Sequence, residues 1–252
     1  MLEPLKDRTW PEILYWLIEH YKWEPQHLRG STQEFRARAR RQEVPLNAMF
    51  CIFACLITPK LFSCILNGIG LPDTAEIGGN YQLKDLTDVG FTQPDVVIES
   101  RDIRILIELK IDANIKAQQV EKYILLHAYL DELFGQKKAM LLFLTQHDFQ
   151  RHWSPRKEAA GFSSLQTFLD GISVDAKLQA RAKSIGLKKN INICDRYKQV
   201  KSTIQFHSIT WNWFGNYLKV LGSRHEITDS DRRIIVDFVQ DIEHRQLQAQ
   251  SA

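Results

Sequence analysis

Two carboxylates and one amine, Asp95, Glu108 and Lys110, lie at spacings that a β-hairpin would bring together. Asp95 directly precedes one run of β-branched residues, and the other two lie inside a second such run. Hard divalent cations such as Mg²⁺ prefer oxygen ligands, commonly one or two carboxylates together with water and substrate phosphate. A positioned ammonium stabilises negative charge that develops beside it. The set would therefore support metal-assisted attack on a phosphate ester.

The two runs predict an antiparallel hairpin with strands at Val96–Glu99 and Ile103–Ile111 and polar turn residues between them. Along the second strand, apolar residues alternate with a set that contains Arg104, Glu108 and Lys110. Successive side chains of a strand point to opposite faces. One face of this strand is therefore expected to be core, and the other to carry charge.

The register of this hairpin decides whether the two carboxylates meet. If the loop is Ser100-Arg101, Val97 stands opposite Arg104, and Asp95 lies diagonal to Glu108 at a backbone separation of roughly 7–8 Å. Any longer loop with the same parity keeps both carboxylates on one face. A slip by an odd number of residues would separate them.

A helix is predicted to follow the hairpin, beginning at Asp112 or Asn114 and running to about Phe134. Gln119 and Tyr123 are four residues apart and therefore share a face of this helix. We expect both beside the cation site, where they would bind phosphate or order the amine. The alternative is a tyrosine at the edge of the core next to a surface glutamine, which is a common arrangement.

These residues resemble a known signature. Pro94-Asp95 followed by Glu108-Leu109-Lys110 resembles the motif of the PD-(D/E)XK nuclease superfamily, which includes many restriction, repair and phage-defence enzymes. Gln119 and Tyr123 are similar to the Gln-x-x-x-Tyr element that some branches of the superfamily carry on the following helix. The resemblance covers about the middle third of the chain.

The resemblance implies a role for each motif residue. Asp95 and Glu108, with the backbone carbonyl of Leu109, would hold Mg²⁺ or Mn²⁺ against a scissile phosphate. Lys110 would position the attacking water or stabilise the charge that develops, and it would act through its own charge. Asp95, Glu108 and Lys110 are thus the predicted catalytic residues.

The resemblance also implies an acidic residue near the first core helix. Glu43 stands just ahead of the apolar run Leu46–Ile57 and resembles the glutamate that precedes this helix in some members. Its alternative role is that of a first-turn glutamate stabilised by the helix dipole. Glu34 is a second candidate for the acidic residue.

The remaining patterns predict an α/β fold. Helices at Leu46–Ile57 and Leu61–Ile69 precede an irregular strand within 74–89 and the hairpin. Ala139–Thr145 is a nearly continuous apolar run, typical of a strand buried on both faces. This order of elements is also the one that the resemblance implies, a restriction-endonuclease-like αβββαβ core with a mixed central sheet flanked by helices, plus helical N- and C-terminal additions.

The chain has 252 residues and is 44% hydrophobic, which predicts one nuclease-like domain with elaborations. Its predicted parts are an N-terminal helical extension at 1–42, the core at 43–146 and a C-terminal elaboration at 147–252.

The C-terminal elaboration contains three recognisable elements. A strand is predicted at Ile204–Ile209 and a helix at Trp211–Leu221. Thr228 and Asp231 have the spacing of a capping box for a last helix. The tail from Arg245 is polar and is predicted to be frayed.

Composition excludes several classes of protein. The four cysteines include no Cys-x-x-Cys pair, so neither a zinc ribbon nor a disulfide framework is indicated. The N-terminus lacks the apolar core of a signal peptide, and the longest apolar run is too short to span a membrane. We therefore expect a cytoplasmic protein without a membrane partner. The net charge of +3 is compatible with nucleic-acid binding.

The resemblance implies a metal-dependent nuclease that hydrolyses phosphodiester bonds, in DNA rather than RNA, with a role in restriction, phage defence or repair. A homodimer or a partner protein of a defence system would fit such a role. One alternative is a catalytically silent nucleic-acid-binding module with the same fold. Another is an interaction protein, which would explain the aromatic residues Trp211, Trp213 and Phe214.

Overall fold

The computed structural model describes residues 43–71, 76–78, 94–111, 115, 117–146, 176, 180, 183–184 and 193–249. The predicted N-terminal extension at 1–42, with Glu34, lies outside the described residues, as does most of 147–192. The division of the chain into one domain with three parts therefore stays a prediction.

A mixed β-sheet forms the centre of the described structure. Its strands are β1 (Glu76–Gly78), β2 (Val96–Glu99), β3 (Ile103–Leu109), β4 (Lys138–Thr145) and β5 (Gln205–Thr210). They lie side by side in the order β1-β2-β3-β4-β5. The first three strands are antiparallel, whereas β3, β4 and β5 are parallel to one another. Parallel neighbours need crossover connections, and here each connection contains a helix.

Helices cover both faces of the sheet, so the fold is α/β with three layers. The described helices are α1 (Glu43–Leu56), α2 (Pro59–Gly68), α3 (Ala117–Phe134), α4 (Ile193–Thr203), α5 (Trp211–Gly222) and α6 (Asp229–Ala249). One apolar layer joins the sheet to α1, α2, α5 and α6. The other joins the opposite face to α3 and α4. A helix at 193–203 was not expected from the sequence.

Strand β4, which lies between β3 and β5, confirms the prediction of a strand buried on both faces. Met140, Leu142 and Leu144 pack into the layer of α1. The residues between them, Leu141 and Phe143, have their side chains on the opposite face of the strand and pack into the layer of α3. A continuous apolar run is required here because both faces of the strand are covered.

The face of β3 that carries charge is also buried. Arg104, Glu108 and Lys110 are 1%, 4% and 8% exposed. This face of the sheet packs under α3 and α4 instead of meeting solvent. Burial of charged groups is costly unless each is paired, so these side chains must find partners inside the protein.

The hairpin forms as predicted, but its register differs by two residues. The loop is Arg101-Asp102, because Ser100 and Ile103 close it through their main chains at 2.8 Å. The Ser100 hydroxyl also accepts the Ile103 N–H at 3.1 Å. Val97 consequently stands opposite Leu106, and the predicted pairing of Val97 with Arg104 is wrong. The shift is even, so every side chain keeps its predicted face.

The C-terminal elaboration is part of the sheet and of both layers. β5 and α5 form where the sequence predicts them. The Thr228 hydroxyl caps α6 by accepting the Asp231 N–H at 3.1 Å. The Asp231 carboxylate, however, accepts the Thr58 N–H at 2.8 Å, which ties α6 to the start of α2. The tail is not frayed at Arg245, since α6 continues to Ala249 and Arg245 bonds Asp241 at 2.6 Å.

One buried histidine makes the stability of this core depend on pH. His127, on α3, is 0% exposed, and its Nε2 donates to the Met140 carbonyl at 3.1 Å. Burial, and after it the charge of Arg104, lowers the pKa of His127 from 6.5 to about 3. The folded protein therefore keeps this imidazole neutral in mild acid, where the unfolded chain protonates it.

We expect this difference to cost stability as the pH falls from about 6.5 toward 3, because only the unfolded state takes up the proton. The loss is about 1.4 kcal/mol per pH unit, or about 2–3 kcal/mol at pH 4.5. Denaturant unfolding of wild type and His127→Gln at pH 7 and pH 4.5 measures it. The stability gap between the two proteins should narrow by that amount in acid, and equal gaps at both pH values would contradict the prediction.

Candidate functional site

The predicted catalytic residues lie together where strand β2 begins and its neighbour β3 ends. Glu108 is the last residue but one of β3, and Lys110 directly follows the end of that strand. Asp95 directly precedes β2, whose first residue, Val96, pairs with Ile107. If this register continues by one residue beyond the paired strand, Asp95 stands directly opposite Glu108 and shares its face of the sheet. The negative charges of Glu108 and Asp95 both act on the Tyr123 hydroxyl, so both carboxylates lie near it.

Glu108 is held by three side chains. Lys110 Nζ lies 2.6 Å from its Oε1. Gln119 Nε2 donates to the same oxygen at 2.5 Å. The Tyr123 hydroxyl donates to Oε2, and Gln119 Nε2 also lies 3.2 Å from that hydroxyl. Both residues of the Gln-x-x-x-Tyr pair therefore contact the glutamate itself, and Tyr123 is buried at 1% exposure, unlike the alternative of a tyrosine at the core edge beside a surface glutamine.

The electrostatics of the site follow from burial. Desolvation raises the pKa of Glu108 above 4.5, although the charge of Lys110 and hydrogen bonds from Lys110, Tyr123 and Gln119 act in the opposite direction. Desolvation and the negative charges of Glu108 and Asp95 raise the pKa of Tyr123 well above 10.0. Tyr123 thus stays a hydrogen-bond donor, and Glu108 is a carboxylate whose charge would be better stabilised by a cation.

Asp95 is oriented from two sides. Its Oδ2 accepts the Leu109 main-chain N–H at 2.8 Å, which ties it to the strand that carries Glu108. Its Oδ1 accepts a hydrogen bond from Asn47 Nδ2 on α1. The main chain of Leu109 lies against Asp95, and ligation through the Leu109 carbonyl remains a prediction. The sequence did not single out Asn47, because 48 residues separate it from Asp95.

The backbone of Lys110 is fixed beyond the end of β3. Its N–H donates to the Leu144 carbonyl at 2.8 Å. Its carbonyl accepts the indole N–H of Trp211 at 2.9 Å, a buried contact from the first residue of α5. The strand is shorter than predicted, ending at Leu109, yet Lys110 is still held by two main-chain bonds. Trp211 therefore helps to fix the backbone of Lys110. The sequence patterns grouped it only with the other aromatic residues of this segment.

The other two aromatic residues of that segment differ in exposure. Phe214 is buried, and Trp213 is 42% exposed, stacked on Tyr217 with ring centroids 5.2 Å apart. Two of the three aromatic residues, Trp211 and Phe214, therefore belong to the core, and their presence does not require an interaction surface.

The acidic residue expected near the first core helix is less well defined. Glu43 is the first residue of α1, but its side chain lies outside the described residues. One turn further along, Asn47 is the residue of α1 that contacts Asp95.

The donor set fits a hard cation with few protein ligands. Asp95 and Glu108 supply carboxylate oxygens, and Mg²⁺ is commonly bound by one or two carboxylates with the rest of its ligands from water and substrate. Within the described part of the chain, no cluster of three or more His, Cys, Asp or Glu side chains could hold a metal.

Comparisons of this chain with protein-family models, with curated proteins and with solved structures gave no match. In the described ranges, no helix combines the length and the apolar character needed to cross a membrane.

Proposed function

We propose that this protein is a divalent-metal-dependent nuclease of the PD-(D/E)XK type that hydrolyses phosphodiester bonds in DNA. The observation that carries the proposal is the meeting of Asp95, Glu108 and Lys110 at one sheet edge, with Gln119 and Tyr123 on the same glutamate. An α/β fold with a hairpin, a crossover helix and a parallel strand in this order also supports it.

Each residue has a defined task in this proposal. Asp95 and Glu108 hold the cation, which when bound supplies Lewis acidity to the phosphate and acidifies water. Lys110 places its ammonium beside Glu108 and stabilises the negative charge that develops on the phosphate oxygens. Gln119 and the protonated Tyr123 orient the Glu108 carboxylate, so that it does not need to reorganise during the reaction.

The substrate and the biological setting rest on the resemblance. DNA is favoured over RNA, and restriction, phage defence or repair are the processes in which we place the protein. A homodimer, or a partner protein of a defence system, would supply the second active centre or the specificity that such processes need.

A catalytically silent nucleic-acid-binding module is the alternative. The ion pair between Lys110 and Glu108 favours this silent module, because the ammonium already neutralises one of the two carboxylates that would hold a cation. Such a module would bind DNA without a requirement for a cation.

The test is cleavage of supercoiled plasmid and single-stranded DNA by the full chain with Mg²⁺ or Mn²⁺, compared with Asp95→Asn. We expect cleavage that a chelator abolishes and that Asp95→Asn lacks, because the amide keeps the shape of Asp95 and loses its charge.

Exposed Asp237→Asn is the matched control and should cleave like the wild type. Cation-independent DNA binding without cleavage would instead establish the silent module.

A further inference from the structure

Asn47 brings helix α1 into the site on the opposite side from Gln119 and Tyr123. It is the fifth residue of α1 and is 4% exposed. Its Nδ2 donates to Asp95 Oδ1, although 48 residues separate the two in the chain. A buried asparagine whose amide touches a site carboxylate has few alternatives to a role in that site.

The other end of the same amide, its oxygen, has no hydrogen-bond partner among the described residues. Within the part of the chain that the structure describes, Asn47 Oδ1 is buried and accepts no hydrogen bond. The orientation of the amide is fixed, because an ionised carboxylate only accepts, so the nitrogen must face Asp95 and the oxygen must be the unpartnered atom. Buried acceptors of this kind are rare in native proteins, and an ion or a water at the site is a usual reason for them.

Charge and chemistry indicate what this oxygen would contact. Amide and carboxylate oxygens are both ligands of hard divalent cations. The unpartnered oxygen is bonded to the same carbon as the nitrogen that contacts Asp95, so it lies close to the predicted cation ligand. A neutral donor adds a ligand without adding a third negative charge to a buried site that already holds two carboxylates.

We propose that Asn47 Oδ1 is a further oxygen donor to the divalent cation held by Asp95 and Glu108. This inference rests on the proposed metal site and extends it by one residue from α1. Asn47 would be a contribution of α1 separate from that of Glu43, which stays a prediction because its side chain lies outside the described residues.

The experiment measures binding of Mn²⁺ alone to the full chain by titration calorimetry, without DNA. Asn47→Leu keeps the size of the side chain and removes both polar atoms, whereas Asn47→Asp keeps an oxygen and removes the donor. We expect Asn47→Leu to weaken Mn²⁺ binding about 10–100-fold, the usual range for loss of a group at a metal site. Asn47→Asp should bind Mn²⁺ at least as tightly as the wild type.

Asn216→Leu, an exposed asparagine on α5, is the matched control and should bind Mn²⁺ normally. If Asn47→Leu does not fold, as judged by circular dichroism, Asn47→Ala replaces it in the titration. Unchanged Mn²⁺ affinity in the leucine or alanine variant would overturn the inference and leave the proposed function intact. Equal loss in the leucine and aspartate variants would also overturn it, since the N–H that orients Asp95 would then be the important atom. A wild-type protein that binds no Mn²⁺ would overturn the proposed metal site, and this inference with it.

Discussion

Replacing Glu108 by glutamine is expected to lower the rate of metal-dependent DNA cleavage by roughly 10²–10³-fold, the loss typical of one catalytic electrostatic contact. Glutamine has nearly the same shape and still accepts a hydrogen bond from the Tyr123 hydroxyl. It lacks the charge that attracts the cation and pairs with Lys110 at 2.6 Å. The measurement is the initial rate of plasmid cleavage at saturating Mg²⁺, together with the Mg²⁺ affinity.

Two controls make this result specific. Glu132→Gln carries the same chemical change on the exposed face of α3 and should leave the rate unchanged. Lys110→Met should lower the rate to a similar extent while Mg²⁺ still binds, because the methionine removes the ammonium and leaves both carboxylates. Lys138→Met, at an exposed position of β4, is the matched control for the lysine. Wild-type cleavage by Glu108→Gln would show that the site has been misassigned.

Replacing Asp131 by alanine is expected to destabilise the fold by about 3–5 kcal/mol, the cost of removing one partner of a buried ion pair. Asp131 lies near the end of α3 and accepts from Arg104 Nη1 at 2.8 Å and from Arg196 Nη2 at 2.5 Å. The Asp131 and Arg104 side chains are each 1% exposed. Loss of the carboxylate would leave the buried Arg104 guanidinium with the Glu99 carboxylate, 2.9 Å from its Nε, as its remaining ion-pair partner among the described residues. Denaturant unfolding of the full chain measures the change.

A double variant tests this explanation. Arg104→Met/Asp131→Leu removes both buried charges, so it should be more stable than Asp131→Leu alone. The remaining partners, Glu99 of Arg104 and Arg196 of Asp131, can reach solvent, since their side chains are 11% and 12% exposed. A double variant less stable than the single one would contradict this explanation, because it would show that Arg104 stabilises the fold without Asp131, through Glu99 or its own packing.

The placement of Asp95 and Glu108 near each other could be predicted from the sequence because side chains alternate between the two faces of a β-strand. Any even change in register leaves Asp95 and Glu108 on one face, so moving the loop by one residue did not separate them. The exact register depended on Ser100, whose hydroxyl bonds Ile103 across the turn. A single serine among three polar residues gave no way to choose between the two loops.

The contacts that complete the site could not be predicted, because each joins distant parts of the chain. Asn47 reaches Asp95 over 48 residues, and Trp211 reaches Lys110 over 101 residues. Such contacts depend on how the helix layers pack against the sheet, and no local pattern records this. The helix at 193–203 was missed for a related reason, since only Ile193, Tyr197 and Val200 are buried on it. Three apolar residues in a polar stretch are a weak periodic signal.

The hydrogen bond from Trp211 to the Lys110 carbonyl has a consequence for the order in which the protein is made. A nascent chain that ends before Trp211 already contains Asp95, Glu108 and Lys110 but lacks the indole that fixes the lysine backbone. It also lacks α5 and α6, which close the apolar layer behind the sheet. At ribosomal rates of about 5–20 residues per second, 101 residues correspond to roughly 5–20 s. The arrangement around Lys110 is therefore completed only after Trp211 has been synthesised, 101 residues after the lysine itself.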